Sequence, residues 1–305
     1  MNTVSENACI SVVICTRNRA EQLRRTLQSF CEQRFAGHWE MVVVDNGSTD
    51  HTDEALKRFA VSSPFPLRVV VEPTPGLARA RNRGIENATG EIVAFTDDDC
   101  YPREDYLEAV WSMFKDPRID YGGGRLLLYD PTDQRVTIQE KNVPEFVAAR
   151  AFIPSGLIHG ANLVCRKKAL MDIHGFDERL GAGTWFKSGE DTDLLRRLAL
   201  FGRCGFYDPN IVVYHHHGRK TAEAARALEN GYRRGFGSCM IKYVLNPASR
   251  STYARMWYWR LRRTSATDLA REVTAALVFL LRYGPSWNQV WRHPHEGLQS
   301  RREAP

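Results

Sequence analysis

Three consecutive aspartates, Asp97, Asp98 and Asp99, follow an apolar stretch that has the composition of a buried strand. Adjacent carboxylates repel one another unless a cation or solvent lies between them. Carboxylate oxygens bind hard ions such as Mg²⁺ and Mn²⁺, which commonly complete their coordination with substrate phosphates. The triplet therefore predicts a divalent metal that holds a phosphate-bearing substrate. A solvated acidic turn is the alternative.

Two further polar clusters also follow apolar runs. One reads Thr16-Arg17-Asn18-Arg19, and the other reads Asp45-Asn46-Gly47-Ser48-Thr49-Asp50. In an open parallel sheet, ligands bind beyond the carboxyl ends of the strands, so the three clusters should converge on one edge. The second cluster is equally typical of a turn followed by a helix N-cap, and both interpretations stay open.

Arg79 and Arg83 are spaced to share one face of a helix that begins near Gly76. Guanidinium groups near a helix N-terminus match the oxygens of a diphosphate. The pair predicts a phosphate contact, with an ordinary basic surface helix as the alternative.

Alternating strand and helix patterns in the first hundred residues would position these clusters. The predicted strands are Ile10–Thr16, Trp39–Asp45, Leu67–Val71 and 91–96. The predicted helices are one that carries Leu23, Leu27 and Phe30, then 51–60 and Leu77–Asn87. Near-continuous Val and Ile runs separated by helices indicate an α/β fold, with a mostly parallel sheet covered by helices on both faces.

The alternation becomes less regular after a predicted helix at 106–114. Strands are predicted at 121–129, 157–166 and 211–214, and a helix at 188–201. Beyond Gly218 the composition shifts to Arg, Trp, Tyr and Ala with helical spacing. We therefore place a boundary near Gly218 and predict a helical C-terminal extension over 218–305.

The composition is that of an ordinary globular protein, since 43% of the 305 residues are hydrophobic and 26% are charged. The seven cysteines are scattered without a Cys-x-x-Cys pair, which argues against a disulfide scaffold and favours a reducing compartment. The N-terminus lacks a signal-peptide pattern, and no apolar run reaches the roughly 18 residues of a membrane span. We expect a cytoplasmic protein.

The positive charge belongs to the tail. Residues 218–305 hold 16 Lys and Arg against 6 Asp and Glu, whereas the rest of the chain is mildly acidic. Arginines alternate there with aromatic residues, as at Trp257, Tyr258, Trp259 and Arg260, and again at Trp287, Trp291 and Arg292. Such mixtures suit either a helical cap packed on the main body or the surface of an anionic membrane.

The ordered set of motifs resembles family 2 glycosyltransferases of the GT-A fold. The clusters described above are followed by Gly160-Ala161-Asn162, Gly175-Phe176-Asp177-Glu178 and Gly189-Glu190-Asp191-Thr192-Asp193-Leu194. The resemblance covers residues 10–217 and implies a GT-A nucleotide-diphospho-sugar transferase domain over 1–217. Within this domain, residues 9–105 would bind the nucleotide and residues 106–217 would bind the acceptor.

The resemblance implies roles on the donor side. It assigns the nucleotide to a set of polar positions: Thr16, Arg17, Arg19, Asp45 and Gly47. Arg79 or Arg83 would approach the diphosphate. Asp97 and Asp99 match the D-x-D positions that handle the ribose and the metal-bound diphosphate, with Asp98 as a further substrate contact. Which aspartate ligates the metal directly stays open, because this chain has Cys100 where relatives often have another acidic or small residue.

Asp191 matches the catalytic base of the family. Ser188 and Asp191 also fit a helix capping pattern, and the two interpretations are compatible. A carboxylate in the first turn of a helix stays ionised and ready to accept a proton. Neighbouring helical residues point about 100° apart, so Glu190 is expected to have a different task and is kept as the second candidate base.

His215, His216 and His217 end the last predicted strand, where His215 and His217 would face the same side. Either imidazole could complete the metal coordination, as a histidine near this position does in some relatives. Surface histidines in a turn are the alternative.

Three other functions fit these motifs less well. A dinucleotide-binding oxidoreductase and a sugar nucleotidyltransferase would both need a glycine-rich turn after the first strand, where this chain has Thr16 to Arg19. A nucleic-acid binder would suit the net charge of +6, but its acidic triplet would repel phosphates without a metal.

The sequence therefore predicts a metal-dependent glycosyltransferase that uses Mn²⁺ or Mg²⁺. It would transfer a sugar from a nucleotide-sugar donor, with UDP as the default, to an unidentified acceptor hydroxyl with inversion. A role in polysaccharide, glycolipid or other glycoconjugate synthesis follows from the family. Peripheral contact with the inner membrane face stays open, and no nucleic acid is expected as a partner.

Overall fold

The computed structural model describes residues 9–284. The strands are β1 (Ile10–Thr16), β2 (Trp39–Asp45), β3 (Leu67–Val71), β4 (Ile92–Asp97), β5 (Cys100–Pro102), β6 (Ile119–Leu128), β7 (Glu145–Val147), β8 (Leu163–Arg166) and β9 (Cys204–His215). The helices are α1 (Ala20–Phe30), α2 (Thr52–Ser62), α3 (Leu77–Asn87), α4 (Tyr106–Met113), α5 (Lys167–Asp172), α6 (Glu190–Leu200), α7 (Ala222–Leu245), α8 (Arg250–Leu261) and α9 (Ala266–Tyr283).

One sheet joins these strands in the order β3-β2-β1-β4-β8-β6-β9-β5, and β7 pairs with β9. The first four strands in this order are parallel, whereas β8 is antiparallel to both of its neighbours. Strand β1 is buried on both faces: Val12 and Ile14 belong to one core and Val13 to the other. The predicted α/β class and GT-A arrangement are confirmed. The parallel part of the sheet is the part that was predicted from the alternating pattern.

Two predicted strands in the second half of the chain had incorrect bounds. The predicted strand at 157–166 is only β8, because a 3₁₀ helix, Gly160–Asn162, precedes it. The side-chain amide of Asn162 stabilises this 3₁₀ helix, since it donates to the carbonyls of Arg125 and Ile211 at 2.8 and 3.1 Å. Strand β9 starts at Cys204, well before the predicted 211–214. Its Asp208-Pro209-Asn210 segment has turn-forming composition and interrupts the strand pattern in the sequence.

The C-terminal extension is helical over its described part and packs on the main body. Lys242 of α7 is fully buried and contacts Asp177 and Asp193 at 2.6 and 2.5 Å. Tyr243 donates to the carbonyl of Asp193 at 2.8 Å. Within residues 9–284, none of the helices combines the length and apolarity needed to cross a bilayer. The predicted contacts of Trp287, Trp291 and Arg292 lie outside the described residues.

Candidate active site

A cavity of about 1070 Å³ opens at the carboxyl ends of β1 and β4 and extends under α7 and α8. Arg17, Thr16 and Asn46 line one part of it, next to the three aspartates. The first turn of α6 and residues of the C-terminal helices line the rest. Two polar clusters and the acidic triplet therefore converge on one edge of the sheet, where the strand order placed them.

The aspartate triplet is tied to the cluster that follows β1. Thr16 donates its hydroxyl proton to Asp98 Oδ2 at 2.7 Å. The Arg19 guanidinium contacts Asp99 Oδ2 at 2.7 Å and Asp98 Oδ1 at 3.3 Å. Burial raises the pKa of Asp98 to about 7, against the opposing effect of the Arg19 charge. Asp98 lines the cavity, but its two carboxylate oxygens are already engaged by Thr16 and Arg19.

Four side chains form a group that could hold a metal ion. Ligand atoms of Asp97, Asp99, Cys100 and His215 all lie within 4.8 Å of one another. Burial would raise the pKa of Asp99, but the hydrogen bond and charge of His215 and the charge of Arg19 outweigh it and hold that pKa below its usual range. Burial keeps the pKa of the Cys100 thiol well above its ordinary value. Two carboxylates and an imidazole remain as the donors, and this set fits a divalent ion such as Mn²⁺.

His217 does not join this group. Its ring faces the same side as His215, as predicted, with ring centroids 5.1 Å apart. Both of its ring nitrogens are engaged elsewhere. Nδ1 accepts from the backbone N–H of Arg219 at 3.0 Å, and Nε2 lies 3.0 Å from the carbonyl of Gln134. These contacts leave no ring nitrogen of His217 available as a ligand in this conformation.

The arginine that enters the cavity from α3 is Arg81, not Arg79 or Arg83. The buried Arg81 contacts Glu190 Oε1 at 3.0 Å and Asp97 Oδ1 at 3.1 Å. Arg79 pairs with Glu178 outside the cavity lining, and Arg83 pairs with Glu86 on the same helix. The i,i+4 spacing of Arg79 and Arg83 therefore marks the outer face of α3.

Asp45 and Gly47 form the turn that holds Asn46 and do not themselves line the cavity. Asp45 Oδ1 accepts from the backbone N–H of Ser48 at 2.9 Å, and Gly47 has a φ of 71°, which favours glycine. Asn46 lines the cavity itself, and its side-chain oxygen accepts from the N–H of Gly76 at 2.8 Å. The turn interpretation of this cluster is correct for Asp45 and Gly47. Whether they also contact a nucleotide stays a prediction.

Asp191 lies on the cavity wall in the first turn of α6. Its Oδ2 accepts from the backbone N–H of Gly160 at 3.0 Å, and Oδ1 accepts from the N–H of Thr192 at 2.6 Å. The N-cap position is Gly189, with a φ of 98°, and not Ser188 as predicted. Ser188 instead donates to the carbonyl of Gly231 in α7 at 3.2 Å. A helix dipole thus acts on Asp191 without a capping box.

Glu190 is more enclosed than Asp191. Burial and the neighbouring Asp191 charge raise the pKa of Glu190 to about 7, although the Arg81 guanidinium opposes this shift. Its carboxylate is committed to the ion pair with Arg81, which in turn contacts Asp97. Glu190 therefore connects α6 to the aspartates, while Asp191 keeps its place on the cavity surface.

Besides Arg81, two cavity residues were not predicted from the sequence. His159 lines the cavity beside the Asp191 region, and burial lowers its pKa. Its one signal in the sequence is that it directly precedes the Gly160-Ala161-Asn162 motif. Arg196 also lines the cavity and is fully buried, with its guanidinium over the rings of Phe152, Tyr243 and Tyr253. No spacing rule in the sequence distinguishes it from a surface arginine of α6.

Comparisons with known proteins agree with this geometry. The sequence model described as Glycosyl transferase family 2 matches residues 11–173. A pre-mycofactocin glycosyltransferase of Mycobacterium tuberculosis is 30% identical over 220 residues, which cover 68% of this chain and 43% of that protein. Glycosyltransferase AglE of Haloferax volcanii is 27% identical over 60% of this chain and 61% of its own length. The chain therefore matches less than two thirds of the length of either relative.

Solved structures share the fold. The mannosyltransferase PcManGT of Pyrobaculum calidifontis, in complex with GDP-Man and Mn²⁺, has a TM-score of 0.59 and 22% identity, covering 94% of this chain and 84% of that one. S. aureus TarS 1–349 with UDP-GlcNAc has a TM-score of 0.59 and 20% identity, covering 92% and 79%. At such identities the similarity establishes the architecture.

Proposed function

Because the chain belongs to glycosyltransferase family 2, we propose that it transfers a sugar from a nucleoside-diphosphate donor to an acceptor hydroxyl, with a divalent metal and with inversion. One observation carries this proposal. The carboxylate and histidine group at Asp97, Asp99 and His215 and the first-turn carboxylate Asp191 line the same cavity. A phosphate-binding site and a proton acceptor are therefore available to one substrate pair.

The donor would bind with its diphosphate at the aspartate group. A divalent ion held by Asp97, Asp99 and His215 would stabilise the negative charge of the departing diphosphate. Thr16 and Arg19 hold Asp98 and Asp99 in place through the contacts described above, so the ligand geometry is set before the donor arrives. Arg17 and Asn46 line the adjacent wall and are the proposed contacts of the nucleotide.

The chemistry at the acceptor side follows from Asp191. As the acceptor oxygen attacks the anomeric carbon, its proton passes to the Asp191 carboxylate and the bond from that carbon to the diphosphate oxygen breaks. The Gly160 N–H holds Oδ2, which fixes the carboxylate against the cavity. A single displacement of this kind inverts the configuration of the anomeric carbon.

The donor is proposed to be a UDP-sugar, with GDP-sugars as the second class, and Mn²⁺ or Mg²⁺ as the ion. PcManGT was solved with GDP-Man and Mn²⁺ and TarS with UDP-GlcNAc, which supports both classes. We place the product among polysaccharides, glycolipids or other glycoconjugates made in the cytoplasm.

A panel of nucleotide sugars tests this function, since water can replace the unknown acceptor. At least one UDP- or GDP-sugar should be hydrolysed with Mn²⁺ and not after chelation with EDTA. The double variant Asp97→Ala, Asp99→Ala should lose Mn²⁺-dependent binding of UDP or GDP in calorimetry. The exposed Asp53→Ala is the matched control and should bind as the native protein does. Unchanged Mn²⁺-dependent binding in the double variant would refute the metal assignment.

We also propose a peripheral contact with an anionic membrane through one face of α8. Tyr258 is half exposed, and the Arg262 guanidinium lies over its ring at 4.8 Å. Arg255 is exposed on the same helix, which adds positive charge. The protein should bind phosphatidylglycerol vesicles at low salt and be released as ionic strength rises. Tyr258→Ser with Arg262→Gln should weaken this binding, and equal binding to uncharged phosphatidylcholine vesicles would contradict it.

A further inference from the structure

The far half of the cavity is built by the C-terminal helices rather than by the GT-A motifs. Phe236 and Met240 of α7 and Met256 and Trp259 of α8 line it. On α8, Met256 and Trp259 lie on one face, and Arg263 follows the end of the helix. Arg255 and Tyr258 lie on another face and do not line the cavity. We call this part of the cavity the acceptor half, since it extends from Asp191 away from the aspartates.

The acceptor half presents apolar side chains that residues 9–284 leave partly exposed. Trp259 is 53% exposed and Met256 is 38% exposed, yet both line a cavity rather than an open convex surface. Phe236 adds an aromatic ring below them. Exposed aromatic and thioether surface inside a concave site is typical of ligand contact, because covering it removes apolar area from water. This surface suits an acceptor that has an apolar part.

Arg196 adds an uncompensated buried charge to the same half. Its side chain is fully buried, and no carboxylate among the described residues lies within 4.0 Å of it. Its Nε donates to the carbonyl of Ile153 at 3.1 Å, but Nη2 has no hydrogen-bond partner in the described structure. The surrounding aromatic rings offset only part of the cost of burying a cation. The positive potential of Arg196 therefore extends into the cavity, where water screens it least.

Further cations at the rim have no acidic partner in residues 9–284. Lys187, Arg219 and Arg263 all line the cavity, and none forms an ion pair there. In contrast, Arg233 and Arg260 are neutralised locally, since both contact the buried Glu272, at 3.6 and 3.0 Å. Arg233 and Arg260 also line the cavity. Among the described lining residues of this half, the cations left without an acidic partner are therefore Lys187, Arg263 and the buried Arg196.

We propose that the acceptor is an amphipathic anion. Its apolar part lies on Trp259, Met256 and Phe236, its acidic group is held by Arg263 in the potential of Arg196, and its hydroxyl reaches Asp191. This identification rests on the proposed function, because it describes the second substrate of the same site. The donor diphosphate is assigned to the metal held by Asp97, Asp99 and His215, so Arg196 and Arg263 remain for the second substrate.

Calorimetry with octyl phosphate, kept below its micelle-forming concentration, tests the proposal on the full chain. Octyl phosphate should bind about tenfold or more tightly than the uncharged octyl glucoside and than inorganic phosphate. Octanoate is the second anionic probe, and comparison of the two identifies a phosphate or a carboxylate as the acidic group. Neither anion should displace UDP or GDP bound with Mn²⁺. Equal affinity for octyl glucoside, or displacement of the nucleotide, would overturn the proposal.

Two pairs of variants give the matched control. Trp259→Ser and Arg263→Gln should each lower the affinity for octyl phosphate about tenfold, while Mn²⁺-dependent binding of UDP or GDP shows that the donor site is still folded. Tyr258→Ser and Arg255→Gln change exposed residues of α8 that do not line the cavity and should change neither affinity. Equal losses from both pairs would overturn the cavity assignment. If the native protein does not bind UDP or GDP with Mn²⁺, the proposed function itself is contradicted. The two failures are therefore distinguishable.

Discussion

The two halves of the cavity differ in how their arginines are paired. On the donor side, Arg19 pairs with Asp98 and Asp99, and Arg81 pairs with Asp97 and Glu190, while Arg17 is exposed beside them. In the acceptor half, Arg196 and Arg263 have no acidic partner among the described residues. Paired charges fix the positions of ligands in advance, whereas unpaired ones favour an incoming opposite charge. The donor half is therefore organised for a metal and a diphosphate, and the acceptor half for an anion that the second substrate brings.

The largest effect is expected where the two halves meet. Asp191→Asn keeps the shape of the side chain and can still accept the Gly160 N–H, but it cannot accept a proton. General base catalysis contributes about 10²–10⁴-fold, so transfer should fall by that factor while donor affinity stays nearly unchanged. Transfer rates, nucleotide calorimetry and a melting curve measure the three quantities.

Glu190→Gln is the control for the base assignment. Because Glu190 is committed to Arg81, we expect a smaller loss of transfer than in Asp191→Asn. A larger loss in Glu190→Gln would move the base to Glu190. Native-like activity in Asp191→Asn would leave Asp191 with a purely structural role.

The next largest effect is expected on the free energy of unfolding, at Lys242, whose ion pairs attach α7 to the main body. Lys242→Met removes the buried ammonium between Asp177 and Asp193, whose pKa values it helps to hold low against burial. Breaking a buried ion pair costs about 3–5 kcal/mol of unfolding free energy, and the retained partners Arg179 and Arg197 favour the lower end. Urea denaturation measures the change.

The same substitution at Lys168 is the matched control. Lys168 is exposed and pairs with Asp172 on α5, so Lys168→Met should cost at most about 1 kcal/mol. Similar losses in the two variants would show that the buried network does not anchor the C-terminal helices.

Glu190, which lies where the two halves meet, predicts a specific pH dependence of the unfolding free energy. The pKa of Glu190 is raised from 4.5 to about 7 in the folded protein. Between these values the folded state binds more protons than the unfolded state, so this group lowers stability as pH rises. Glu190→Gln lacks the titration. Its unfolding free energy relative to the native protein should therefore rise by up to about 1.4 kcal/mol per pH unit from pH 4.5 to 7. A difference independent of pH, from urea denaturation at each pH, would exclude a raised pKa.

The smallest effect is expected outside the cavity, at Arg79. The spacing in the sequence predicts that Arg79 or Arg83 contacts the diphosphate, whereas the structure pairs them with Glu178 and Glu86. Arg79→Gln and Arg83→Gln should change nucleotide affinity less than about twofold, since exposed ion pairs contribute little. A tenfold weaker affinity in calorimetry would show that one of these arginines reorients when the donor binds.

The donor half was predicted in more detail than the acceptor half, and the reason is physical. The strands β1, β2 and β3 were predicted with correct bounds because they are continuous apolar runs, and polar residues follow each carboxyl end. The convergence of Thr16, Arg19 and the aspartates then follows from sheet geometry alone. Local patterns were sufficient for this region.

Several residues of both halves are placed by contacts between distant segments, which periodicity does not reveal. Arg81 and Arg79 differ by half a helical turn, and only the packing of α3 against β1 decides which one enters the cavity. Arg196 has no local signature, since the rings that cover it come from the Phe152 loop, α7 and α8. The metal role of His217 was predicted from strand alternation, which gave its face correctly but could not show that Gln134 and Arg219 occupy its ring nitrogens.

The buried Lys242 also bears on how the protein is made. During translation, domains generally fold from the N-terminus as the ribosome extends the chain at about 5–20 residues per second. The donor-side strands and α6 are complete tens of residues before Lys242 leaves the ribosome. Until then Asp177 and Asp193 lack their shared ammonium, and the wall formed by α7 and α8 does not exist. A nascent chain could therefore fold its nucleotide-binding sheet while it still lacks the far wall of the acceptor half, so we expect acceptor binding to be acquired last in biosynthesis.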